Sequence, residues 1–220
     1  MNLIHFLIDF ILHIDKHLNE IILQYGRLTY FILFSVIFAE TGFVFTPFLP
    51  GDSLLFAAGT FAARGSFNVH ILFLILASAA IIGDNVNYWI GRKLGTKLFA
   101  RNSRFLKKQY LDKTHLFYEK HGGKTVILAR FFPIIRTFSP FVAGLGKMFY
   151  IRFLINDIAG GILWVAIFTY GGFLFGNLPV IKNNFSIVIL VIILISLLPA
   201  IIEFTRHKLS NKRNEPPRSK

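Results

Sequence analysis

The sequence predicts an all-α integral membrane protein. Two oppositely oriented re-entrant helical hairpins and about three spanning helices form an inverted repeat, preceded by an N-terminal amphipathic helix. Three observations carry this expectation. First, apolar runs at 68–91, 153–176 and 185–205 are each long enough to cross a hydrocarbon core, which takes roughly 20 helical residues. Second, ten Lys and Arg lie between Arg92 and Lys124 and six between Arg206 and Lys220, against only Lys16, Arg27 and Arg64 in the first 67 residues. The positive-inside rule produces that bias. Third, residues 125–146, TVILARFFPIIRTFSPFVAGLG, set Arg130, Arg136, Pro133 and Pro140 in otherwise apolar surroundings. A plain spanning helix there would hide two arginines in hydrocarbon, at about 2.5–3.5 kcal/mol each. It would also lose backbone hydrogen bonds at both prolines. Irregular backbone at membrane depth is tolerated only where protein or a water-filled cavity shields it. The stretch therefore reads as a broken, re-entrant hairpin with guanidiniums in a polar cavity; the bland alternative is an interfacial loop whose arginines snorkel.

Composition bounds the rest. A chain of 220 residues that is 54% hydrophobic and holds 26 Phe is neither disordered nor an ordinary soluble domain. The net charge of +13 sits in juxtamembrane loops, so anionic lipid rather than nucleic acid is the expected partner. With no cysteine, disulfides and thiolate chemistry are absent.

From the N-terminus, residues 3–23 lack a signal peptide's basic leader and cleavage site. They carry a polar stripe of His5, Asp9, His13, Lys16/His17 and Glu20, which suits an amphipathic helix in the interface. His13 and His17 have metal-ligand spacing, but a wetted stripe explains them and no metal is assigned. The apolar run 28–39 is only about 18 Å as a helix, and 53–63 is equally short. Between them lie Glu40, Pro47, Pro50, Gly51 and Asp52, which suits two half-helices meeting at a Pro-Gly turn at membrane depth. A single span over 28–46, with Glu40 facing a neighbour, is the competing reading. Residues 68–91 span and end in GDNVNYWIGRKLG, where Tyr88 and Trp89 suit an aromatic belt and Asp84, Asn85 and Asn87 face the bundle. The basic amphipathic stretch 92–124 lies on the cytoplasmic leaflet. After the arginine hairpin, 153–176 cross outward and 185–205 return. The membrane domain thus covers 1–206, and the basic tail 207–220 is disordered in the cytoplasm.

The halves resemble one another weakly. PFLPGDSLLFAAG (47–59) parallels FFPIIRTFSPFVAG (131–144), with prolines, an ionisable residue and an apolar run ending in Ala-Gly. Each is followed by a glycine-bearing span, and the two hairpins enter from opposite sides. Such paired broken segments point to a transport site near the midplane. The tips comprise Pro47, Pro50 and Gly51 in the first hairpin and Pro133, Pro140 and Gly144 in the second. The first supplies acids, Glu40 and Asp52; the second supplies bases, Arg130 and Arg136. Their meeting would neutralise buried charge and line one cavity. Arginine's planar fork grips phosphate bidentately, and a partly desolvated carboxylate can take and release a proton. An anionic, lipid-linked substrate exchanged against protons fits those residue types: Arg130 and Arg136 would bind its phosphate, and Glu40 and Asp52 would couple protons or gate. A purely structural charge network joining the hairpins is the alternative.

FAETGFVFTPFLPGDSLLFAAG, GDNVNYWIGRKLG and ILARFFPIIRTFSPFVAGLGKM, which run in order between about 30 and 175, resemble the DedA family, also called the SNARE-associated Golgi or VTT-domain family. Its essential acids map onto Glu40 and Asp52, and its essential arginines onto Arg130 and Arg136. The resemblance implies a multi-pass protein of the bacterial inner membrane, tied to the proton motive force, that recycles undecaprenyl phosphate. Other transport readings are a proton-coupled small-ion or drug antiporter and a general phospholipid scramblase. No G-x-S-x-G or H-E-x-x-H occurs, and none of the seven histidines lies in either hairpin. No enzyme, cofactor or metal is therefore expected.

Overall fold

The computed structural model describes residues 14–43, 51–100 and 123–179, with isolated positions from 181 to 195. The expected tip prolines Pro47 and Pro50 lie outside the described residues. So do His5, Asp9 and His13, the basic stretch 101–122, most of the span expected at 185–205, and the tail. The described elements are all helical. They are α1 (Ile14–Tyr25), a 3-10 turn (Gly26–Leu28), α2 (Thr29–Gly42), α3 (Gly51–Ala63), α4 (Val69–Ala100), α5 (Lys124–Ala129), α6 (Pro133–Leu145) and α7 (Tyr150–Phe175).

Among the described residues, three stretches are long and apolar enough to cross a membrane: Lys16–Gly42, Val69–Leu94 and Tyr150–Phe175. The last two are spans the sequence predicts. The first differs from expectation, because the interfacial helix and the half-helix are joined by a single 3-10 turn. Gly26 takes a left-handed φ of 52°, which lets the chain pass from α1 to α2 without a loop. The amphipathic character of α1 survives, with Leu18 buried and Lys16, Asn19 and Glu20 exposed. At 32 residues, or about 48 Å, α4 outruns the hydrocarbon core, and its later turns carry Arg92 and Lys93. Trp89 faces outward as an interfacial aromatic should. Tyr88 does not: it is buried, stacks on Phe153 with centroids 4.5 Å apart, and donates its hydroxyl to the Met148 carbonyl at 2.5 Å.

The arginine stretch breaks where its prolines require it. α5 ends at Ala129, Phe132 is extended (φ −118°, ψ 104°), and Pro133 opens α6 at a position that needs no N–H partner. Pro140 and Gly144, expected at the tip, instead lie inside α6. Pro140 is buried there, with neighbouring helices shielding the hydrogen bond it forgoes.

Bare backbone sets the closest helix pairs. A Cβ at Gly59 of α3 would strike the Thr169 carbonyl of α7, and one at Gly172 of α7 the Phe56 carbonyl of α3. In the same way, Gly144 of α6 lies against the Tyr88 carbonyl of α4, and Gly91 of α4 against Phe141 of α6. The short helices α3 and α6 thus pack on the long helices α7 and α4 through glycines, as small residues permit in membranes. Outside, Leu74, Ile82, Ile155, Ile162, Ile167 and Leu174 are exposed; inside lie six buried charged residues, Glu40, Asp52, Asp84, Arg130, Arg136 and Asp157. Polar inside and apolar outside is the arrangement of a protein solvated by lipid.

Two neighbouring glycines test this packing. Gly172→Ala should lower stability by about 1–3 kcal/mol by driving a methyl into α3. Gly171→Ala meets open space and should leave stability unchanged or raise it by about 0.4–1 kcal/mol. Thermal unfolding of both in detergent checks this; equal midpoints would contradict the α3–α7 approach.

Candidate functional site

The buried charges form two clusters, each with one guanidinium facing two carboxyls. In the first, Arg136 stands in the first turn of α6 and is 3% exposed. Its Nη2 donates to Glu40 Oε1 at 2.5 Å and its Nη1 to Asp52 Oδ1 at 2.6 Å. Glu40 comes from the last turn of α2 and Asp52 from the first turn of α3, where the helix dipole favours an anion. Two further contacts fix the carboxyls. The Gly51 N–H donates to Glu40 Oε1 at 3.3 Å, and the Trp164 indole N–H of α7 donates to Asp52 Oδ1 at 2.8 Å. The Arg136 guanidinium also lies 4.4 Å from the centroid of the Trp164 ring, a cation–π arrangement. Gly51 is required by close approach: a Cβ there would occupy the space of the Glu40 carboxyl.

In the second cluster, Arg130 follows directly on α5 and is also 3% exposed. Its Nη2 reaches both Asp84 Oδ2 of α4 and Asp157 Oδ1 of α7, the latter at 2.6 Å. Gly160 and Gly161 make a trough for the side chain; added Cβ atoms would come within 3.0 Å of Arg130 Cδ and 3.2 Å of Nη1. Between the clusters, Asn87 of α4 donates to the carbonyls of Thr41 (3.1 Å) and Thr137 (2.8 Å), tying the end of α2 to α6.

The acids of the first hairpin motif do meet a base of the second, but only Arg136. Arg130 takes its partners from the two long spans. Asp84 therefore belongs to the charged centre. Asn85 does not: it accepts from the Tyr150 hydroxyl at 2.9 Å and lines a groove of about 420 Å³ with Trp89, Lys93 and Leu154. Asp157 and Trp164 were not singled out from the sequence. A lone acid within the apolar run 153–176 was the available signal for Asp157. For Trp164 there was none, since a tryptophan in a span reads as packing.

Taking ions out of water is expensive, and removing one partner of a buried pair leaves the other uncompensated, at about 3–5 kcal/mol. The indole–carboxylate bond can be isolated. Trp164→Phe keeps an aromatic face over Arg136 but removes the donor to Asp52, and should cost about 1.5–3 kcal/mol. Thermal unfolding against Phe168→Leu, which alters only a packed neighbour of that ring, checks that the loss is polar.

Comparison with known proteins identifies membrane-protein relatives. A VTT domain matches residues 49–174, a segment that contains five of the six buried charges. Protein DedA of Escherichia coli is 55% identical over 216 residues, covering 97% of this chain and 99% of its own length. An uncharacterized membrane protein of Mycobacterium tuberculosis is 44% identical over 184 residues, covering 82% and 80%. The Escherichia coli inner membrane protein YqjA is 37% identical over 152 residues, 69% of each chain. No solved structure matches. The chain belongs to the DedA family of VTT-domain membrane proteins.

Proposed function

We propose that this protein is a transporter that moves a lipid phosphate, undecaprenyl phosphate in a bacterial inner membrane, between leaflets in exchange with protons. The observation that carries the reading is Arg136, whose fork in the bundle interior is closed by Glu40 and Asp52 from two different helices. Two oxygens of a phosphate can accept from the same fork and must replace those carboxyls to bind. A proton on Glu40 or Asp52 weakens its hold on the guanidinium, so phosphate entry and proton uptake favour one another. Arg130 is the second phosphate ligand in this reading. The two broken segments are re-entrant hairpins of an inverted repeat, supported by the matched glycine contacts of α3 on α7 and α6 on α4. Lys124, Lys147 and Arg152 are each exposed, which suits contact with anionic headgroups on the cytoplasmic side in this reading.

The test is leaflet exposure of undecaprenyl phosphate in proteoliposomes, with and without a pH gradient. Arg136→Lys should slow movement about tenfold or more, because an ammonium cannot replace the fork. Glu40→Gln should retain movement and lose its response to the gradient. Ion or drug flux without lipid movement by folded wild type would favour the antiporter, and equal movement of ordinary phospholipids the scramblase. Single cysteines between 40 and 52 should resist rapid aqueous labelling from outside; labelling at every position would rule out a membrane-embedded first tip.

A further inference from the structure

The second cluster has one carboxyl too many. Asp84 and Asp157 are 1% and 0% exposed, and a single guanidinium nitrogen, Arg130 Nη2, serves both. The remaining oxygens, Asp84 Oδ1 and Asp157 Oδ2, have no donor among the described residues. Arg130 Nε and Nη1 cannot supply one, since they face the bare backbone at Gly160 and Gly161. Because both carboxyls contact the same guanidinium nitrogen, Asp84 Oδ2 and Asp157 Oδ1 are close neighbours. Two carboxylates in that position repel one another at low dielectric, and their approach is satisfied when one carries a proton and donates it to the other.

Surrounding charge does not relieve the surplus. From α6 the nearest charge is Arg136, already committed to Glu40 of α2 and Asp52 of α3. Arg92 of α4 is directed to the Tyr88 hydroxyl and the Met148 carbonyl. Lys124 of α5, Lys147 and Arg152 of α7 are exposed. Residues 44–50 include no ionisable side chain. A metal ion is a poor substitute for the proton: a guanidinium repels it, and no group of three His, Cys, Asp or Glu suited to a metal occurs among the described residues.

We propose that Asp84, Arg130 and Asp157 form a proton-binding site in which one exchangeable proton is shared between the two aspartates of the two long spans. Binding converts one carboxylate to a carboxylic acid whose O–H donates to the other, leaving the cluster neutral with Arg130. Release returns the proton to water and leaves two carboxylates on one guanidinium, which drives α4 and α7 apart at this level. The site is distinct from the Glu40–Asp52–Arg136 cluster. It deepens the transport reading by giving a proton a place that leaves Arg136 available to phosphate, and rests on that reading only for its use.

The experiment is difference infrared spectroscopy of the full-length protein in lipid nanodiscs across a pH titration, following the C=O stretch of protonated carboxylic acids. In a Glu40→Gln/Asp52→Asn background, which removes the carboxyls of the other cluster, the protein should show a titrating band that Asp84→Asn and Asp157→Asn each remove. Both asparagine variants turn the cluster into a neutral one-to-one pair, so they should fold. A band that persists in both, or no titrating band in that background, overturns the proposal. Failure of both variants to fold also overturns it, since it would mean that both charges are required at once. The readout needs no transport, so a titrating cluster in a protein that moves no lipid would refute the transport reading alone.

Discussion

A guanidinium in the middle of a lipid-solvated bundle must bring its counter-charges with it, and the described structure is arranged around that requirement. Arg130 and Arg136 lie in or beside the broken segment between α5 and α6, and neither reaches water. Four carboxyls from α2, α3, α4 and α7 meet them. Those acids fix which helices are neighbours, because a span that left its acid unpaired would bear the full desolvation cost. Glycines then set how near the neighbours come. Gly51 admits the Glu40 carboxyl, and Gly160 with Gly161 admits Arg130.

The clusters differ in how completely they are held. Arg136 has a separate nitrogen for each acid, and the Trp164 ring and N–H confine both Arg136 and Asp52. Arg130 divides one nitrogen between two acids. Neither network is fully satisfied, since Glu40 Oε2 and Arg136 Nε also lack a partner among the described residues, but the second leaves an oxygen of each acid without a donor. Under the transport reading, the first cluster suits recognition of an anion and the second suits storage of a proton.

Much of this was legible in the sequence, and the gaps have physical causes. The spans of α4 and α7 follow from uninterrupted apolar length, and the break before Pro133 from proline's missing N–H. The cost of isolated charge in hydrocarbon singled out Glu40, Asp52, Arg130 and Arg136. Which base meets which acid was not legible, because pairing depends on helix register in three dimensions. The expectation that Arg130 joins the first hairpin's acids missed Asp157, which lies past the end of the last motif used, at Met148. Pro140 misled in the opposite direction: proline marks a break only where nothing packs around it, and the closely packed α6 keeps its helical course through that residue.

The distribution of contacts also constrains how such a protein could open. The backbone-tight glycine contacts join α3 with α7, α6 with α4 and α2 with α4, and helices so closely meshed do not slide easily past one another. The contacts crossing from the α3–α7 pair to the α4–α6 pair combine a shared apolar core, with Leu72, Leu76 and Ala80 of α4 and Trp164 and Val165 of α7, with polar links. Arg136 of α6 reaches Asp52 of α3 and the ring of Trp164 of α7. In the opposite sense Arg130, seated on α7, reaches Asp84 of α4. Under the transport reading, the seam between the pairs is the place where ligands act: phosphate competes for Arg136 on one side, and a proton on Asp84 and Asp157 changes the hold of Arg130 on the other. Small changes of charge there bias a rigid-body separation that apolar packing alone would not distinguish.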